Sequence, residues 1–389
     1  MRNLNIDMVL EVISRLPLKE AIRCKYLNKD INTYISNEER RQVVQSIQKS
    51  CTVLHCSEQH PKIFGQVRLD PPYFSNYIDI YENLPTLVRV MASCSGLLLL
   101  HFELHETYGV FNPITGEFQL VPNNQHSGQI GLAVDSSTQS YILVAFDVKR
   151  NLTNWEKKVF KFLTFTASSC MWEEIHEEEL VCELRTFLSD NTLPVFLRNS
   201  MNWLIKDGSI LAFDLEKRSA RIIKGPFYRT ADVMFNYDIW FGGVHDSLVF
   251  VRAFEYEIVI YVYERVQKKW QILHTIDNIC RREGDYGLRN GIPMLFDGKQ
   301  LLVLFRNSRK QRVIYIHDVL IKSWERIGTM PKTRDLDQRY IPFVPTLVKL
   351  NSGLYTQDST LCSDIRGSLD GLHQLLKELC ETIRLIDYN

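Results

Sequence analysis

The chain has 389 residues, of which 45% are hydrophobic and 24% are charged, and its 46 basic and 46 acidic residues give a formal net charge of zero. A length of this order predicts two domains or one large all-β domain. The charge balance disfavours a general nucleic-acid or membrane-surface binder, which needs a basic excess, although it leaves room for a local patch. The sequence shows neither a secretory signal pattern nor an apolar run near 18 residues. We therefore expect a cytoplasmic or nuclear protein, or both, with no nucleic-acid or membrane partner.

The N-terminal stretch has the apolar periodicity of short helices. Asn5 can cap a helix that runs from Ile6 to about Arg15, and Pro17 ends it. Two apolar rows lie along this helix, Ile6, Val9, Leu10 and Ile13 in one and Met8, Val12 and Leu16 in the other. Two further short helices follow, with Leu18, Ala21, Ile22 and Tyr26 in the first and Ile31, Tyr34 and Ile35 in the second. Three such helices cannot bury a stable core of their own, so we expect an outward apolar row to pack against a partner.

One unit recurs along the chain after residue 90. In each copy an apolar strand ends in an aromatic residue or a histidine, a polar turn follows, and an aromatic or small residue stands seven positions after this anchor. The copies are Phe111–Phe118, Phe165–Trp172, Phe213–Ala220, Tyr263–Trp270 and His317–Trp324. Apolar strands on both sides of a polar turn predict a β-hairpin, and the fixed spacing lets the second aromatic residue pack against the neighbouring sheet each time.

The repeat predicts a mainly β fold, a kelch-like β-propeller of about six blades, with seven possible. A further apolar strand precedes most anchors, at Leu97–Leu100, Tyr141–Val144, Trp203–Ile205, Leu248–Val251 and Leu301–Phe305. Sharp turns near these strands are predicted at Gly96, Asp207-Gly208, Gly242-Gly243 and Asp297-Gly298. Segments 50–90 and 337–360 can pair to close the ring, through strands predicted at Thr52–His55, Ile78–Tyr81 and Thr346–Leu350. Sandwiches and jelly rolls also contain many short strands, but they do not repeat a unit of about 50 residues.

Apolar residues return at helical spacing near the C-terminus, at Leu369, Leu372, Leu375, Leu376, Leu379, Ile383 and Leu385. They predict a terminal helix that packs on the propeller or on the N-terminal helices. The expected organisation is therefore a helical domain over residues 1–45, a propeller over residues 46–362 and a helix over residues 363–389.

The nine cysteines are scattered and include no Cys-x-x-Cys pair, which predicts buried free thiols in a reducing compartment. Cys51, His55, Cys56 and His60 form the one Cys/His cluster, and its spacing is wider than that of usual zinc pairs. We therefore expect no metal ion and no other cofactor.

The N-terminal stretch resembles an F-box, the motif by which substrate receptors join SCF-type ubiquitin ligases through a Skp-family adaptor. The matching residues are Leu4, Ile6, Asp7, Val9, Ile13, the run Arg15 to Lys19, Ala21, Ile22, Arg23, Cys24, Leu27 and Lys29. The sequence departs from the family at Asn5, where a proline is usual, and at Ile31, where a tryptophan is usual. The resemblance implies that the adaptor binds Leu4, Ile6, Met8, Val9, Val12, Ile13, Leu16, Pro17, Leu18, Ile22, Leu27 and Ile31.

The segments SCSGLLLL (Ser93–Leu100) and YGVFNPITGEFQLVP (Tyr108–Pro122) are similar to the opening of the F-box-associated, kelch-like domain of plant F-box proteins. Together the two resemblances imply a substrate-recognition subunit of an SCF-type ubiquitin ligase. Its F-box would bind the adaptor and through it a cullin, and its propeller would hold a target protein. Such a subunit increases a rate by proximity and needs no catalytic residue.

Two alternatives remain open from the sequence: a propeller scaffold outside any ligase, and a propeller enzyme. The chain contains no GxSxG, HExxH or phosphate-loop motif, which favours a non-catalytic protein. Long loops between strands are where propellers bind partners, so we consider the loop from Asp277 to Asn290 the best candidate for target recognition. The candidate target-binding residues are Arg281, Arg282, Asp285, Tyr286, Arg306, Arg309 and Arg334, with a solvated turn as the alternative for the basic cluster around Arg306.

Overall fold

The computed structural model describes residues 52–57, 63–68, 75–79, 88–112, 117–122, 129–135, 140–150, 157–183, 192–205, 207–226, 239–279, 289–306, 311–330, 338–343 and 350. The helical domain expected over residues 1–45 and the helix expected over residues 363–389 lie outside the described residues. The described part is mainly β, and its one helical segment is the 3-10 turn Glu103–His105.

The strands follow one another with short connections along most of the described chain. In order they are β1 (Thr52–Ser57), β2 (Ile63–Arg68), β3 (Ser75–Asp79), β4 (Val88–Cys94), β5 (Leu97–Phe102), β6 (Thr107–Phe111), β7 (Phe118–Val121), β8 (Gly131–Val134), β9 (Tyr141–Arg150), β10 (Lys157–Thr166), β11 (Trp172–Glu183), β12 (Val195–Leu197), β13 (Ser200–Leu204), β14 (Ile210–Asp214), β15 (Ser219–Ile223), β16 (Ile239–Val244), β17 (Ser247–Ala253), β18 (Glu257–Glu264), β19 (Lys269–Asp277), β20 (Arg289–Phe296), β21 (Gln300–Arg306), β22 (Arg312–Asp318), β23 (Ser323–Met330) and β24 (Gln338–Phe343).

Within the described residues these strands form six four-stranded antiparallel sheets. Sheets 1 to 5 each consist of four consecutive strands, β4–β7, β8–β11, β12–β15, β16–β19 and β20–β23. Sheet 6 combines the last described strand with the first three, in the order β24-β1-β2-β3. The first strands β4, β8, β12, β16, β20 and β24 are neighbours in that order, and β24 also lies beside β4. This radial arrangement of sheets is a β-propeller.

Sheet 6 joins the two ends of the propeller domain. Thr52 at the start of β1 is opposite Phe343 at the end of β24, and Ser57 is opposite Gln338. The predicted pairing of segment 50–90 with segment 337–360 is thereby confirmed. The C-terminal strand of this pair is Gln338–Phe343. The strand predicted at Thr346–Leu350 lies outside the described residues except for Leu350.

The propeller has two distinct faces, which follow from the strand order. In an antiparallel sheet built in sequence order, the connections between the first and second strands and between the third and fourth strands lie at one end. We call this end the turn face. The connections between the second and third strands, and those that lead to the next sheet, lie at the other end, which we call the linker face. Because β1 is the second strand of its sheet and β24 the first, Thr52 and Phe343 both lie on the turn face.

The five predicted hairpins are confirmed, each between the third and fourth strands of a sheet. The seven-residue spacing makes the two anchors of every copy direct cross-strand partners: Phe111 and Phe118, Phe165 and Trp172, Phe213 and Ala220, Tyr263 and Trp270, His317 and Trp324. In the three copies that end in tryptophan, the two rings also touch, with centroids 4.7 to 5.5 Å apart. The predicted apolar strands before the anchors lie in the second strand of each sheet.

The tryptophans of the repeat join neighbouring sheets. In each case the indole Nε1–H donates a hydrogen bond to a backbone carbonyl at the end of the outer strand of the preceding sheet. Trp172 bonds to Pro122 O at 2.8 Å, Trp270 to Lys224 O at 2.8 Å, and Trp324 to Asp277 O at 3.3 Å. Sheets 1 and 3 have Phe118 and Ala220 at this position. The aromatic residues of the repeat are therefore packing residues that hold the circumference together, as the fixed spacing predicted.

Hydrophobic clusters fill the spaces between consecutive sheets. Phe162 of sheet 2 stacks on Phe213 of sheet 3 with ring centroids 4.6 Å apart, and one continuous cluster joins Trp240 of sheet 4 to Leu302 of sheet 5. The facing apolar surfaces of neighbouring sheets are thus removed from water, and this burial is the main favourable contribution to folding.

Three of the four predicted glycine turns are confirmed by positive φ angles, +74° at Gly96, +81° at Gly208 and +104° at Gly298. The turn predicted at Gly242-Gly243 is wrong. Both glycines lie inside β16, and His245 and Asp246 form the turn with φ angles of +44° and +65°. Gly242 serves packing instead, because a Cβ there would lie 2.3 Å from the indole of Trp240.

The indole bonds generate a testable prediction. Trp172→Phe removes the 2.8 Å bond to Pro122 O while keeping an aromatic ring between sheets 1 and 2. A net hydrogen bond contributes about 1 kcal/mol, so the free energy of unfolding should fall by about that amount in urea denaturation. Trp324→Phe is the matched comparison, since its bond is longer at 3.3 Å, and it should cost less. Equal stability of Trp172→Phe and the unmodified chain would contradict this role of the indole.

Candidate functional site

The residues predicted to bind a target belong to three connections whose flanking strand ends all lie on the linker face. Arg281, Arg282, Asp285 and Tyr286 lie between β19 and β20, Arg309 lies between β21 and β22, and Arg334 lies between β23 and β24. These six residues are outside the described part of the chain, as are the adaptor-binding residues predicted between Leu4 and Ile31. Arg306 is the one predicted target-binding residue that the structure describes.

Arg306 ends β21 with an exposed side chain and belongs to a row of arginines. It is the direct cross-strand partner of Arg289 at the start of β20 and of Arg312 at the start of β22. The side chain of Arg306 is exposed at this edge of the sheet. An exposed guanidinium can bind a carboxylate through two parallel hydrogen bonds.

Tyr256 lies on the same linker face, in the connection between β17 and β18, and its side chain is 62% exposed. Buried Asn278 holds this connection: its side-chain Nδ2 donates to Phe254 O at 2.9 Å, and its backbone N–H donates to Tyr256 O at 3.0 Å. The backbone N–H of Phe254 also donates to Glu257 O at 2.7 Å. The structure therefore presents an exposed tyrosine on a rigid backbone, and tyrosine is among the residues enriched at the energetic centres of interfaces.

Arg252 packs against the Phe254 ring of this connection. Its side chain is buried, and its guanidinium carbon lies 4.8 Å from the centroid of the Phe254 ring. A cation over an aromatic face is stabilised by the ring quadrupole, most strongly where water is excluded. Arg252 is thus a positioning residue for the Tyr256 connection, and it is not available to a ligand.

Sequence reasoning missed Tyr256 and Asn278. The signal for Tyr256 was present, because an aromatic residue between Glu255 and Glu257 in a tight connection has no core to enter. No local pattern marks Asn278, because its partners lie more than twenty residues away in the sequence.

A second polar group on the linker face, in sheet 1, has a structural role. Arg89 forms an ion pair with Glu103, and His101 stacks on Tyr108 with ring centroids 4.6 Å apart. Burial lowers the pKa of His101 below its ordinary value, although the nearby Glu103 carboxylate opposes this shift. Burial also raises the pKa of Tyr108. Both rings are therefore neutral near pH 7, and they pack on each other.

The described residues offer little for metal or thiol chemistry. Among them no group of three or more His, Cys, Asp or Glu side chains is placed to hold a metal ion. Cys51 and His60 of the sequence cluster are outside the described residues. Cys94 and Cys170 have free thiols, and burial raises the pKa of Cys94, which makes its thiol less reactive. No helix in the described ranges is long and apolar enough to cross a membrane.

The Tyr256 connection and the arginine row lie on sheets 4 and 5, which share one hydrophobic core. The cluster includes Ile258 and Ile260 from β18 and Leu302 and Ile314 from sheet 5, each at most 2% exposed. Sheets 4 and 5 therefore present an exposed arginine and an exposed tyrosine on one face, above a shared core.

Comparison with known proteins identifies the family. The chain belongs to the F-box associated β-propeller domain family, which matches residues 72–350. An F-box/kelch-repeat protein of Arabidopsis thaliana is 26% identical over 359 residues, covering 89% of this chain and 77% of that protein. A second Arabidopsis F-box protein is 24% identical over 371 residues, covering 88% of this chain and 84% of that protein.

Solved structures resemble the chain only distantly. A chain in the crystal structure of a nidogen/laminin complex is 11% identical, with a TM-score of 0.41, over 75% of this chain and 96% of that one. An oligogalacturonate lyase in complex with manganese is 12% identical, also with a TM-score of 0.41, over 73% of this chain and 80% of the lyase.

The free energy of unfolding should depend strongly on Asn278 and only weakly on Tyr256. Asn278→Ala leaves the carbonyl of Phe254 without its side-chain donor, so the free energy of unfolding should fall by about 1–3 kcal/mol. Tyr256→Ala truncates an exposed side chain and should change stability by less than about 0.5 kcal/mol. Urea denaturation of both variants measures the difference. A large loss of stability in Tyr256→Ala would show that the ring is a structural group and weaken its assignment to binding.

Proposed function

We propose that this chain is the substrate-recognition subunit of an SCF-type ubiquitin ligase. The observation that carries the proposal is the order of two features along the chain: an N-terminal stretch that resembles an F-box precedes a propeller of the F-box associated family. The names of the Arabidopsis relatives support it, because both describe F-box proteins that align with most of this chain. In this proposal the N-terminal stretch binds a Skp-family adaptor and through it a cullin, in the cytoplasm, the nucleus or both.

The two faces of the propeller support a division of labour. The chain enters the propeller at Thr52 on the turn face, so the adaptor-binding stretch is attached to that face. The exposed side chains of Tyr256 and Arg306 lie on the linker face. We assign the linker face of sheets 4 and 5 to the target protein, because a target bound there leaves the adaptor attachment free.

The proposed role requires no bond chemistry on this chain. A receptor that holds its target beside a ubiquitin-charged enzyme makes the transfer effectively intramolecular, and the gain is an effective concentration. Rigidity of the receptor then matters, since effective concentration falls when the two bound partners move independently. The continuous core of sheets 4 and 5 supplies that rigidity beneath the proposed target face.

We also infer that the propeller is a closed ring of six blades. Two observations support this count: β24 lies beside both β20 and β4, and β24 pairs with β1 from the other end of the domain. Closure leaves no first strand exposed at a gap in the ring, which removes an edge that would otherwise favour aggregation.

Substitutions in the N-terminal stretch test the ligase assignment. Leu16→Asp places a charge in the proposed adaptor interface, and Pro17→Ala removes the residue that ends the first predicted helix. Both substitutions should abolish copurification of adaptor and cullin from a plant extract, and so should removal of residues 1–45. The proteins bound to the propeller should remain in all three variants. Quantitative mass spectrometry of the captured proteins measures both groups. Absence of any adaptor from the full chain would exclude the ligase assignment and leave a scaffold.

Substitutions on the linker face test the target assignment separately. Tyr256→Ala and Arg306→Glu should each reduce capture of the target at least tenfold, without loss of the adaptor. Arg326→Glu is the matched control for Arg306→Glu, because it makes the same charge change at an exposed position on the outer strand of the same sheet. Equal loss in the control would indicate a general charge effect, and unchanged capture in all three variants would place target binding elsewhere.

A further inference from the structure

The turns between the third and fourth strands of sheets 3 and 5 have the same backbone geometry. Asp214 Oδ1 accepts hydrogen bonds from the N–H groups of Glu216 and Lys217, at 3.1 and 3.0 Å. Asp318 Oδ1 accepts from the N–H groups of Leu320 and Ile321, both at 2.9 Å. Each turn closes on a residue with positive φ, Arg218 at +51° and Lys322 at +57°. Such aspartate-capped turns are fixed by the backbone and the aspartate.

The side chains at the two equivalent positions are nevertheless opposite in character. Sheet 3 has exposed Glu216 and Lys217, whereas Leu320 and Ile321 of sheet 5 are each 74% exposed. The corresponding turn of sheet 4 exposes 90% of Val266. Since the polar pair of sheet 3 supports the same turn, the fold does not require apolar residues here. Leu320 and Ile321 are adjacent in one turn, and adjacent exposed apolar side chains that the fold does not use are typical of a surface that packs against another segment.

These turns lie on the turn face, where the described chain also begins and ends. Beyond β24, Leu350 is buried in the cluster between sheets 1 and 2, and its backbone N–H donates to Glu117 Oε2 at 2.8 Å. Glu117 belongs to the third-to-fourth strand turn of sheet 1, so the chain is on the turn face when it leaves the described residues. The segment that follows therefore starts on the same face as Val266, Leu320 and Ile321.

We propose that the C-terminal segment, residues 367–389, docks on the turn face against Val266, Leu320 and Ile321. This segment has seven leucine and isoleucine residues at helical spacing, between Leu369 and Leu385, which need an apolar surface. The 19 positions from Leu350 to Leu369 can span about 60 Å, enough to reach sheets 4 and 5 from sheet 1.

The charges of the two surfaces are complementary. In the turn of sheet 4, the cations Arg265, Lys268 and Lys269 outnumber the carboxylate of Glu264, whereas in the turn of sheet 5 Lys322 is balanced by Asp318. Residues 367–389 contain four carboxylates, Asp370, Glu378, Glu381 and Asp387, against two basic residues, Lys377 and Arg384. An acidic amphipathic segment therefore fits a surface that joins the apolar turn of sheet 5 to the basic turn of sheet 4.

Hydrogen exchange followed by mass spectrometry on the full chain tests the proposal. The double variant Leu320→Glu and Ile321→Lys installs the pair that sheet 3 uses, so the aspartate-capped turn should remain intact. In the unmodified chain, amides of residues 367–389 should exchange at least tenfold more slowly than in an unstructured peptide of the same sequence. The double variant should lose this protection, while amides in the sheet interiors keep theirs.

The test includes one control variant, and three outcomes would contradict the proposal. Ile272→Glu places a charge on an apolar residue that is 61% exposed on the outer strand of sheet 4, outside the turns, and should leave the protection of residues 367–389 unchanged. Free exchange of residues 367–389 in the unmodified chain would overturn the proposal, and so would protection that survives in the double variant. Protection that rises with protein concentration would overturn it in favour of contact with a second copy. Because the experiment needs no adaptor or target, its result is separate from that of the ligase assignment.

Discussion

The pairing of β24 with β1 is the constraint on which the rest of the structure depends. It joins segments almost 300 residues apart in the sequence through six register pairs, from Thr52 and Phe343 to Ser57 and Gln338. Without it the first sheet and the fifth sheet would each face water on one side, and the ring of first strands would be open. The pairing also fixes where the chain enters and leaves the propeller. Both points lie on the turn face, so the described chain neither enters nor leaves the propeller on the linker face.

The local parts of this fold could be predicted from the sequence, because their cause is local. The spacing of seven residues between Tyr263 and Trp270, or between Phe111 and Phe118, defines a hairpin whose register follows directly from the turn length. The indole bonds to the preceding sheet follow from the same spacing once the sheets are placed side by side. The closing strand was harder, because nothing in Gln338–Phe343 itself identifies its partner. The Gly242-Gly243 pair misled for a different reason, since glycine serves a turn and a close contact with Trp240 equally well.

The candidate site was predictable only in part, for a physical reason. Arg306 stood out because it belongs to a basic group in the sequence, but its register with Arg289 and Arg312 depends on the pairing of three strands. The position of Tyr256 depends on a contact between the β17–β18 connection and Asn278, the residue that follows β19. Sites of this kind are made by tertiary contacts, so a single sequence can indicate which residues are unusual but cannot place them together. The N-terminal adaptor-binding residues are the opposite case, because a resemblance named them and they stay a prediction.

The repeated unit explains how different surfaces arise on one scaffold. Each turn between third and fourth strands is held by backbone and cap hydrogen bonds, as at Asp214 and Asp318, so its outward side chains are free to differ. The indole position is also free to differ, with tryptophan in sheets 2, 4 and 5 and smaller or unbonded side chains in sheets 1 and 3. On sheets 4 and 5, Val266, Leu320 and Ile321 are exposed on the turn face, and Tyr256 and Arg306 are exposed on the linker face. Those two sheets share one continuous core, so groups bound on either face are attached to the same rigid body. Such a body suits the proposed receptor, which would have to hold two attachments at a fixed separation.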